Sequence, residues 1–166
     1  MRRFRWRRGA LLLGLAGALV SVVPDGVSAV AARARCRATA FVTYGGDSVS
    51  TIDVKTRTKE RPDIPLGEGA FGVAVTPEGK TAFVTHGRSG TVSTIDVKTT
   101  TKNPTDIPVG TSAAGVAVTP DGKTAFVVNG SSGTVSTIHV KTRTKDPADI
   151  TVGSAPFGVA VTPCRR

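Results

Sequence analysis

Short stretches of alternating apolar and polar residues run from residue 39 to residue 163, and turn-forming residues separate them. Residues 72–76, 81–85 and 91–97 are three such stretches, rich in β-branched side chains that fit a pleated sheet. Between the first two, Pro-Glu-Gly-Lys combines the fixed φ of proline with the freedom of glycine, as tight turns require. No stretch sustains the 3.6-residue period of an amphipathic helix. The pattern therefore predicts an all-β chain.

The pattern recurs with a period of 43 residues. Gly-Val-Ala-Val-Thr-Pro begins at residues 72, 115 and 158, and Val-Ser-Thr-Ile begins at residues 49, 92 and 135. Residues 72–114 and 115–157 are identical at 30 of 43 positions. A repeat of this length indicates one supersecondary unit that stacks against its neighbours.

Each unit is predicted to contain four strands, here called A to D. In the unit that starts at residue 72 they are residues 72–76, 81–85, 91–97 and 106–109, and the polar stretch 98–104 connects C to D. Four antiparallel strands in a repeat of about 43 residues are typical of a β-propeller blade. The predicted fold class is therefore all-β, with three four-stranded antiparallel units as propeller blades.

The end of strand B carries the most specific resemblance. It reads Phe-Val-Thr-Tyr at 41–44, Phe-Val-Thr-His at 83–86 and Phe-Val-Val-Asn at 126–129. With the flanking strands, this unit resembles the YVTN β-propeller repeat of secreted and surface-layer proteins of bacteria and archaea. The resemblance covers residues 39–163 and implies the propeller fold. It implies no single activity, because many members of that family have none assigned.

The number of strands leaves the closure of the ring open. The array begins with strand B at Thr39 and ends with strand A at Thr162, which makes twelve predicted strands. If the last strand A completes the first blade, exchange between the chain ends closes three blades, fewer than the usual four to eight. Otherwise the array belongs to a larger propeller, pairs with copies of itself to make six blades, or forms an open stack.

Both cysteines fall at the same position of the repeat. Cys36 and Cys164 each correspond in register to Glu78, in the turn between strands A and B. A disulfide between them would replace that turn where the chain is interrupted, either within one chain or between two chains. We therefore expect Cys36 and Cys164 to be disulfide candidates.

The ends of the chain differ in composition from the array. Residues 1–31 combine five arginines, an apolar run over residues 10–23 and small residues near a predicted cleavage site, as a signal peptide does. Residues 32–38 form a basic linker and residues 164–166 a short tail. The apolar run is too short for a comfortable membrane span, so we expect a secreted or cell-envelope protein with no stable span after cleavage.

The net charge of +10 comes mainly from these ends. Residues 39–163 hold twelve Lys and Arg against eleven Asp and Glu. Proteins that follow phosphates need a basic stripe on the folded surface. The nearly neutral array therefore argues against a nucleic-acid partner.

Catalytic chemistry is sparse in the sequence. His86 and His139 occupy different positions of the repeat, which argues against a shared metal site. Asp53 and Asp96 recur at one strand C position and are expected to bond to backbone groups or to groups of a neighbouring blade rather than to act as acid or base. Nucleophile elbows, phosphate-binding loops and haem attachment motifs are absent from the sequence. We expect no catalytic residues, no metal and no cofactor.

The loops between strands vary most between copies, while the strands are nearly constant. Variable loops on a fixed scaffold suit recognition, so the D–A and B–C loops are expected to form a binding face. The expected function is a non-enzymatic scaffold that binds a protein or glycan partner. The alternatives are a propeller-type enzyme or redox partner (lyase, lactonase or quinoprotein-like) and a truncated gene product without independent activity. The binding candidates are Tyr44, Asp47, Glu68, His86, Arg88 and Asn129.

Overall fold

The computed structural model describes residues 38–60, 62–67 and 69–163. The predicted signal peptide, Cys36 and Cys164 lie outside these residues. The described part contains strands and turns and no helix, so none of it is a helix long and apolar enough to cross a membrane. In chain order the strands are β1 (Thr39–Thr43), β2 (Ser48–Asp53), β3 (Thr58–Lys59), β4 (Ile64–Pro65), β5 (Ala70–Val75), β6 (Thr81–His86), β7 (Thr91–Asp96), β8 (Thr101–Lys102), β9 (Ile107–Pro108), β10 (Ala113–Val118), β11 (Thr124–Asn129), β12 (Thr134–His139), β13 (Thr144–Lys145) and β14 (Ile150–Thr151).

These strands form three antiparallel sheets, one for each copy of the repeat. The first blade contains β1 to β4, the second β5 to β9 and the third β10 to β14. In the second blade β6 pairs with β5 on one side and β7 on the other, and the third blade repeats this order. The predicted all-β fold of four-stranded antiparallel units is confirmed.

The outermost strand of each blade is interrupted, which the sequence did not predict. In the second blade β8 and β9 pair with opposite ends of β7, and residues 104–106 form the interruption between them. The interpretation of residues 98–104 as a plain connection is therefore wrong for Thr101 and Lys102. A tight turn makes this pairing, because the Asp96 carboxylate accepts a hydrogen bond from the backbone N–H of Thr99 and Thr100 adopts a positive φ of 55°.

Exchange of strands between the chain ends, one of the alternatives that the sequence left open, is not formed among the described residues. No strand is assigned over residues 152–163, and within the described residues β1 pairs only with β2. Instead the Gly115 N–H donates to the carbonyl oxygen of Phe157 at 3.0 Å. The segment that follows β14 therefore lies beside the inner strand of the third blade.

The apolar core lies between blades rather than inside each one. One buried cluster joins the first blade to the second, and its fully buried centre includes Val49, Val84 and Ile95. A second cluster joins the second blade to the third around Phe83 and Val127. Each blade thus depends on its neighbour to remove its apolar side chains from water.

Close approach of the inner strands accompanies this packing. A Cβ atom on Gly72 would lie 2.4 Å from the Ala114 carbonyl oxygen, a backbone atom of the next blade. Thr85 bridges the same gap, because its hydroxyl accepts from the Gly72 N–H at 2.8 Å and donates to the Ala114 carbonyl at 2.6 Å. Only glycine at position 72 allows this spacing.

We predict that Gly72→Ala lowers the free energy of unfolding by at least about 2 kcal/mol, because the added methyl group must push apart two backbones. Gly153→Ala is the matched control, since a Cβ there meets nothing within 4 Å. Urea denaturation of both variants measures the difference. Equal stability of the two variants would show that the inner strands are not held at this distance.

Candidate binding face

The binding candidates lie where strand B ends and where the loops between blades begin. Tyr44 and Asp47 belong to the turn between β1 and β2, and Arg88 belongs to the turn between β6 and β7. All three are exposed. The backbone carbonyl of Asp47 accepts from the Leu66 N–H at 2.8 Å, which ties this turn to the loop after β4. Their roles in binding stay predictions.

Two of the candidates are placed differently from the expectation. His86 is 2% exposed and Asn129 is 0% exposed, so the prediction that these side chains face solvent is wrong. His86 is the last residue of β6 and Asn129 the last residue of β11, and both side chains are buried within their blades. Glu68 lies outside the described residues.

His86 belongs to a polar network within the second blade. Its Nε2 lies 2.7 Å from the hydroxyl oxygen of Ser93, and that hydroxyl donates to the Asp106 carboxylate at 2.7 Å. A serine hydroxyl has one proton, so His86 must be the donor in its contact with Ser93. Lys102 completes the network with an ion pair to Asp106 at 2.7 Å.

The third blade contains the same network with an amide in place of the imidazole. Asn129 Nδ2 donates to the Ser136 hydroxyl at 2.8 Å, Ser136 donates to Asp149 at 2.8 Å, and Lys145 pairs with Asp149 at 2.7 Å. The Asn129 side chain also accepts from the Gly110 N–H at 3.1 Å. The network therefore joins the central strands of the third blade to the loop that enters this blade from the second.

The first blade contains a more exposed version. The Tyr44 hydroxyl contacts Ser48 and donates to Asp63 at 3.2 Å, while Ser50 donates to the same carboxylate at 2.6 Å. Lys59 pairs with Asp63 at 2.6 Å. Tyrosine, histidine and asparagine thus occupy one position of the repeat, and each brings a hydrogen-bond donor to the serine or carboxylate beside it.

These contacts lower the pKa of all three carboxyl groups below the ordinary value. Hydrogen bonds from Lys59 and then Ser50 lower the pKa of Asp63. Burial by itself would raise the pKa of Asp106 and of Asp149, but the hydrogen bonds from lysine and serine outweigh it. The carboxylates are therefore held in the charged form.

His86, Ser93 and Asp106 are the residue types of a hydrolase triad, but they are connected in a different order. In a triad the histidine stands between the acid and the serine and accepts the serine proton. Here Ser93 stands between the other two, donates its proton to the carboxylate and is fully buried. This arrangement stabilises the blade and does not activate a nucleophile.

The other histidine and the strand C carboxylates are also engaged locally. The Asp53 carboxylate accepts from the backbone N–H groups of Lys55 and Thr56, as expected. His139 Nε2 lies 2.9 Å from the Asp146 carboxylate. Among the described residues, no three His, Cys, Asp or Glu side chains converge on one point that a metal ion would occupy.

A groove lies where the D–A and B–C loops of neighbouring blades meet. Its volume is about 700 Å³, and the Phe71 and Phe157 rings meet edge to face with centroids 5.4 Å apart. Ser112 and Ser131 are hydrogen-bonded to each other at 2.6 Å in its wall. We call this the loop-face groove, defined by Phe71, Gly87, Ser112, Ala113, Ala114, Gly130, Ser131, Ala155, Pro156 and Phe157.

Neither phenylalanine of the groove was among the predicted binding residues. Strand A was predicted to begin at the glycine that recurs in all three copies, so the residue before it was not considered a candidate. That position holds Phe71, Ala114 and Phe157 in successive copies. This change between a large and a small side chain, next to residues that are the same in every copy, was the sequence signal that pointed to a site here.

A scan with family models found no match, and a search of curated proteins found none either. Solved structures do match. The chain is similar to hydrazine synthase of Kuenenia stuttgartiensis, with a TM-score of 0.67, 26% identity, and coverage of 72% of this chain and 34% of that chain. It is also similar to the WD40 repeats of RRP9, with a TM-score of 0.60, 13% identity, and coverage of 68% of this chain and 35% of that chain.

A third similar structure is apo AztD from Citrobacter koseri, with a TM-score of 0.57, 17% identity, and coverage of 72% of this chain and 34% of that chain. These proteins are β-propellers, and the likeness shows the propeller fold of the described blades. The chain spans about a third of the length of the structures it matches.

We predict that residue 86 and residue 93 differ in their tolerance to substitution. Ser93→Ala removes the hydroxyl group that both His86 and Asp106 contact, so the buried imidazole loses its acceptor and the carboxylate loses a donor. This lowers the free energy of unfolding by about 1–3 kcal/mol. His86→Asn copies the third blade and keeps the donor, so it costs less than about 1 kcal/mol. Urea denaturation measures both, and a larger loss for His86→Asn would contradict the structural role of the network.

Acid is predicted to destabilise the blades through Asp63, Asp106 and Asp149. Folding lowers the pKa values of these three carboxyl groups, so their ionised forms stabilise the folded chain above the ordinary pKa of 3.8. This stabilisation is lost as the pH falls through their pKa values in the folded state. Thermal unfolding followed from about pH 5 to about pH 2 measures the loss. The triple Asp→Asn variant should show a flatter profile, and an unchanged profile would contradict the assignment.

Proposed function

We propose that this protein is a non-enzymatic β-propeller scaffold that binds a protein partner through the loop-face groove. The groove supports this best, because two exposed aromatic rings meet edge to face in its lining. Phe71 is 46% exposed and Phe157 is 69% exposed, although both are large apolar side chains. Exposed apolar surface of this kind commonly marks a binding site.

The residues that line the loop-face groove favour an apolar side chain of a protein partner as the ligand, rather than a glycan. Phenylalanine, alanine and proline side chains supply no hydrogen-bond donors, and the Ser112 and Ser131 hydroxyl groups already bond to each other. A glycan needs many polar contacts, whereas an apolar anchor residue needs a dry pocket. Tyr44, Asp47 and Arg88 are exposed on turns of the B–C type and are the proposed polar contacts around this anchor.

We place the protein outside the cytoplasm, in the secreted fraction or the cell envelope. The signal-peptide pattern of residues 1–31 and the similarity of the repeat to the YVTN type support this. Partners include a further copy of the chain as well as other proteins, since blades stack by their faces.

An enzyme or redox partner is the second candidate. It is supported by the names of similar structures, which include hydrazine synthase and the dihydro-heme d1 dehydrogenase NirN. In that case the blades would form part of a larger catalytic assembly. Turnover of a bound compound separates this candidate from a scaffold, which binds without converting its ligand.

Selection from a displayed random-peptide library, with a glycan array in parallel, tests the scaffold proposal. We expect peptides with aromatic or aliphatic anchors to bind, and Phe71→Ala to weaken that binding more than about tenfold, which is about 1.4 kcal/mol. Val75→Ala is the control, because Val75 is an exposed apolar residue of the middle blade that lies outside the groove. Binding that is unaffected by Phe71→Ala, or binding to glycans alone, would overturn the proposal.

A further inference from the structure

We propose that a second copy of this chain completes the first blade, so that two copies close a six-blade ring. This contact involves the outer faces of the first and third blades and is independent of ligand binding in the loop-face groove. It rests on two exposed apolar faces, one unpaired strand edge and one half-formed hydrogen-bond relay.

The first blade has an exposed face that the other two blades bury. Val42 is 39% exposed, whereas its equivalents Val84 and Val127 are 0% exposed against the preceding blade. Val54 on the same face is 51% exposed, and its equivalent Val97 packs against the first core cluster. The first blade therefore presents the surface that a preceding blade would cover.

The third blade has the opposite face exposed. Ile150 is 50% exposed, whereas its equivalents Ile64 and Ile107 are each 5% exposed against the following blade. Val152 is 41% exposed, while Leu66 at the same position is 5% exposed. The third blade therefore presents the surface that a following blade would cover.

These two faces are the two halves of an interface that the chain already makes twice. The face of Ile64 and Leu66 packs on the face of Val84 and Val97 in the first cluster, and the second cluster repeats this pairing. The third-blade face of one copy therefore fits the first-blade face of another copy. Such a head-to-tail contact forms a ring when the rotation closes, and two three-blade arrays give six blades.

Residues 158–162 provide the inner strand that the first blade needs. In the second blade β5 pairs with β6, with Val73 opposite Val84 and Ala74 opposite Phe83. The same register places Val159 opposite Val42 of the second copy. The open edge of β1 would gain a full partner, and pairing of an open edge is favourable in itself.

The hydrogen-bond relay between blades is half formed at this edge. In the second blade the Thr85 hydroxyl accepts from the Gly72 N–H and donates to the Ala114 carbonyl. In the first blade the Thr43 hydroxyl donates to the Phe71 carbonyl at 2.5 Å. By repeat register, the Gly158 N–H of a second copy is the donor that this hydroxyl would accept.

The position of the last segment favours exchange between copies. The bond from the Gly115 N–H to the Phe157 carbonyl holds residue 157 against the third blade of its own chain. A Cβ atom on Gly115 would lie 2.7 Å from that carbonyl, much as Gly72 approaches Ala114 one repeat earlier. Residue 158 is therefore positioned to start an inner strand beyond the third blade, and the proposal is that a second copy supplies the strand that pairs with it.

Gly158→Ala tests this directly. In the single chain a Cβ on Gly158 meets nothing within 4 Å, so the variant should fold normally, whereas in the ring it would meet the Phe71 carbonyl of the second copy. Light scattering after size exclusion should show a dimer for the wild type and for the control Lys98→Ala, because Lys98 is exposed in the turn between β7 and β8 of the middle blade, away from both end faces. We expect the dimer dissociation constant of Gly158→Ala to rise more than about tenfold. A wild-type chain that is monomeric at all concentrations would overturn the proposal.

Cysteine cross-linking tests the register. Single variants Val42→Cys and Val159→Cys, both with the native cysteines replaced by serine, are mixed under mild oxidation. We expect a covalent dimer from the mixture, and a closed covalent dimer from the double variant. A double variant that cross-links at monomer mass would show that the chain closes on itself, and a ladder of longer products would show an open polymer. Either result would overturn the six-blade ring.

Discussion

Packing of apolar side chains between neighbouring blades is the interaction on which the rest of the structure depends. A four-stranded sheet has two faces, and a single blade of about 43 residues cannot bury both by itself. The two core clusters each join one blade to the next, and the inner strands approach so closely that only glycine fits at residues 72 and 115. Among the blades that the structure describes in residues 38–163, the second alone is covered on both faces. The stability of the array therefore increases towards its middle.

Polar residues have a second structural role within each blade. A serine, an ionised aspartate and a lysine recur in every copy, and the serine is fully buried in the second and third blades and part-buried in the first. The fourth member varies between Tyr44, His86 and Asn129; the last two donate to the serine, whereas Tyr44 donates to the aspartate. These networks hold one histidine and three aspartates in structural contacts. The loop-face groove is left as the surface best suited to recognition.

The repeat allowed the strands, turns and blade boundaries to be predicted from sequence, because period-2 alternation and turn residues are local signals. The interruption of the outer strand was missed, since the pairing of Thr101 and Lys102 depends on a turn conformation that the sequence does not mark clearly. The exposure of His86 was wrongly predicted, because a polar residue at a strand end is buried when serine and aspartate lie beneath it. Phe71 and Phe157 meet only in three dimensions, two repeats apart.

Hydrogen–deuterium exchange on the Gly158→Ala variant, diluted until it is monomeric, tests most directly the claim that each blade depends on its neighbours. With blades stabilised by packing on both faces, the amides of β6 and β7 should exchange most slowly, and those of β1 and β14 should exchange much faster. The β6 amides would then report the free energy of opening the whole array. Exchange of β1 as slow as that of β6 would contradict the account, because it would mean that a blade is stable without a neighbour on each side.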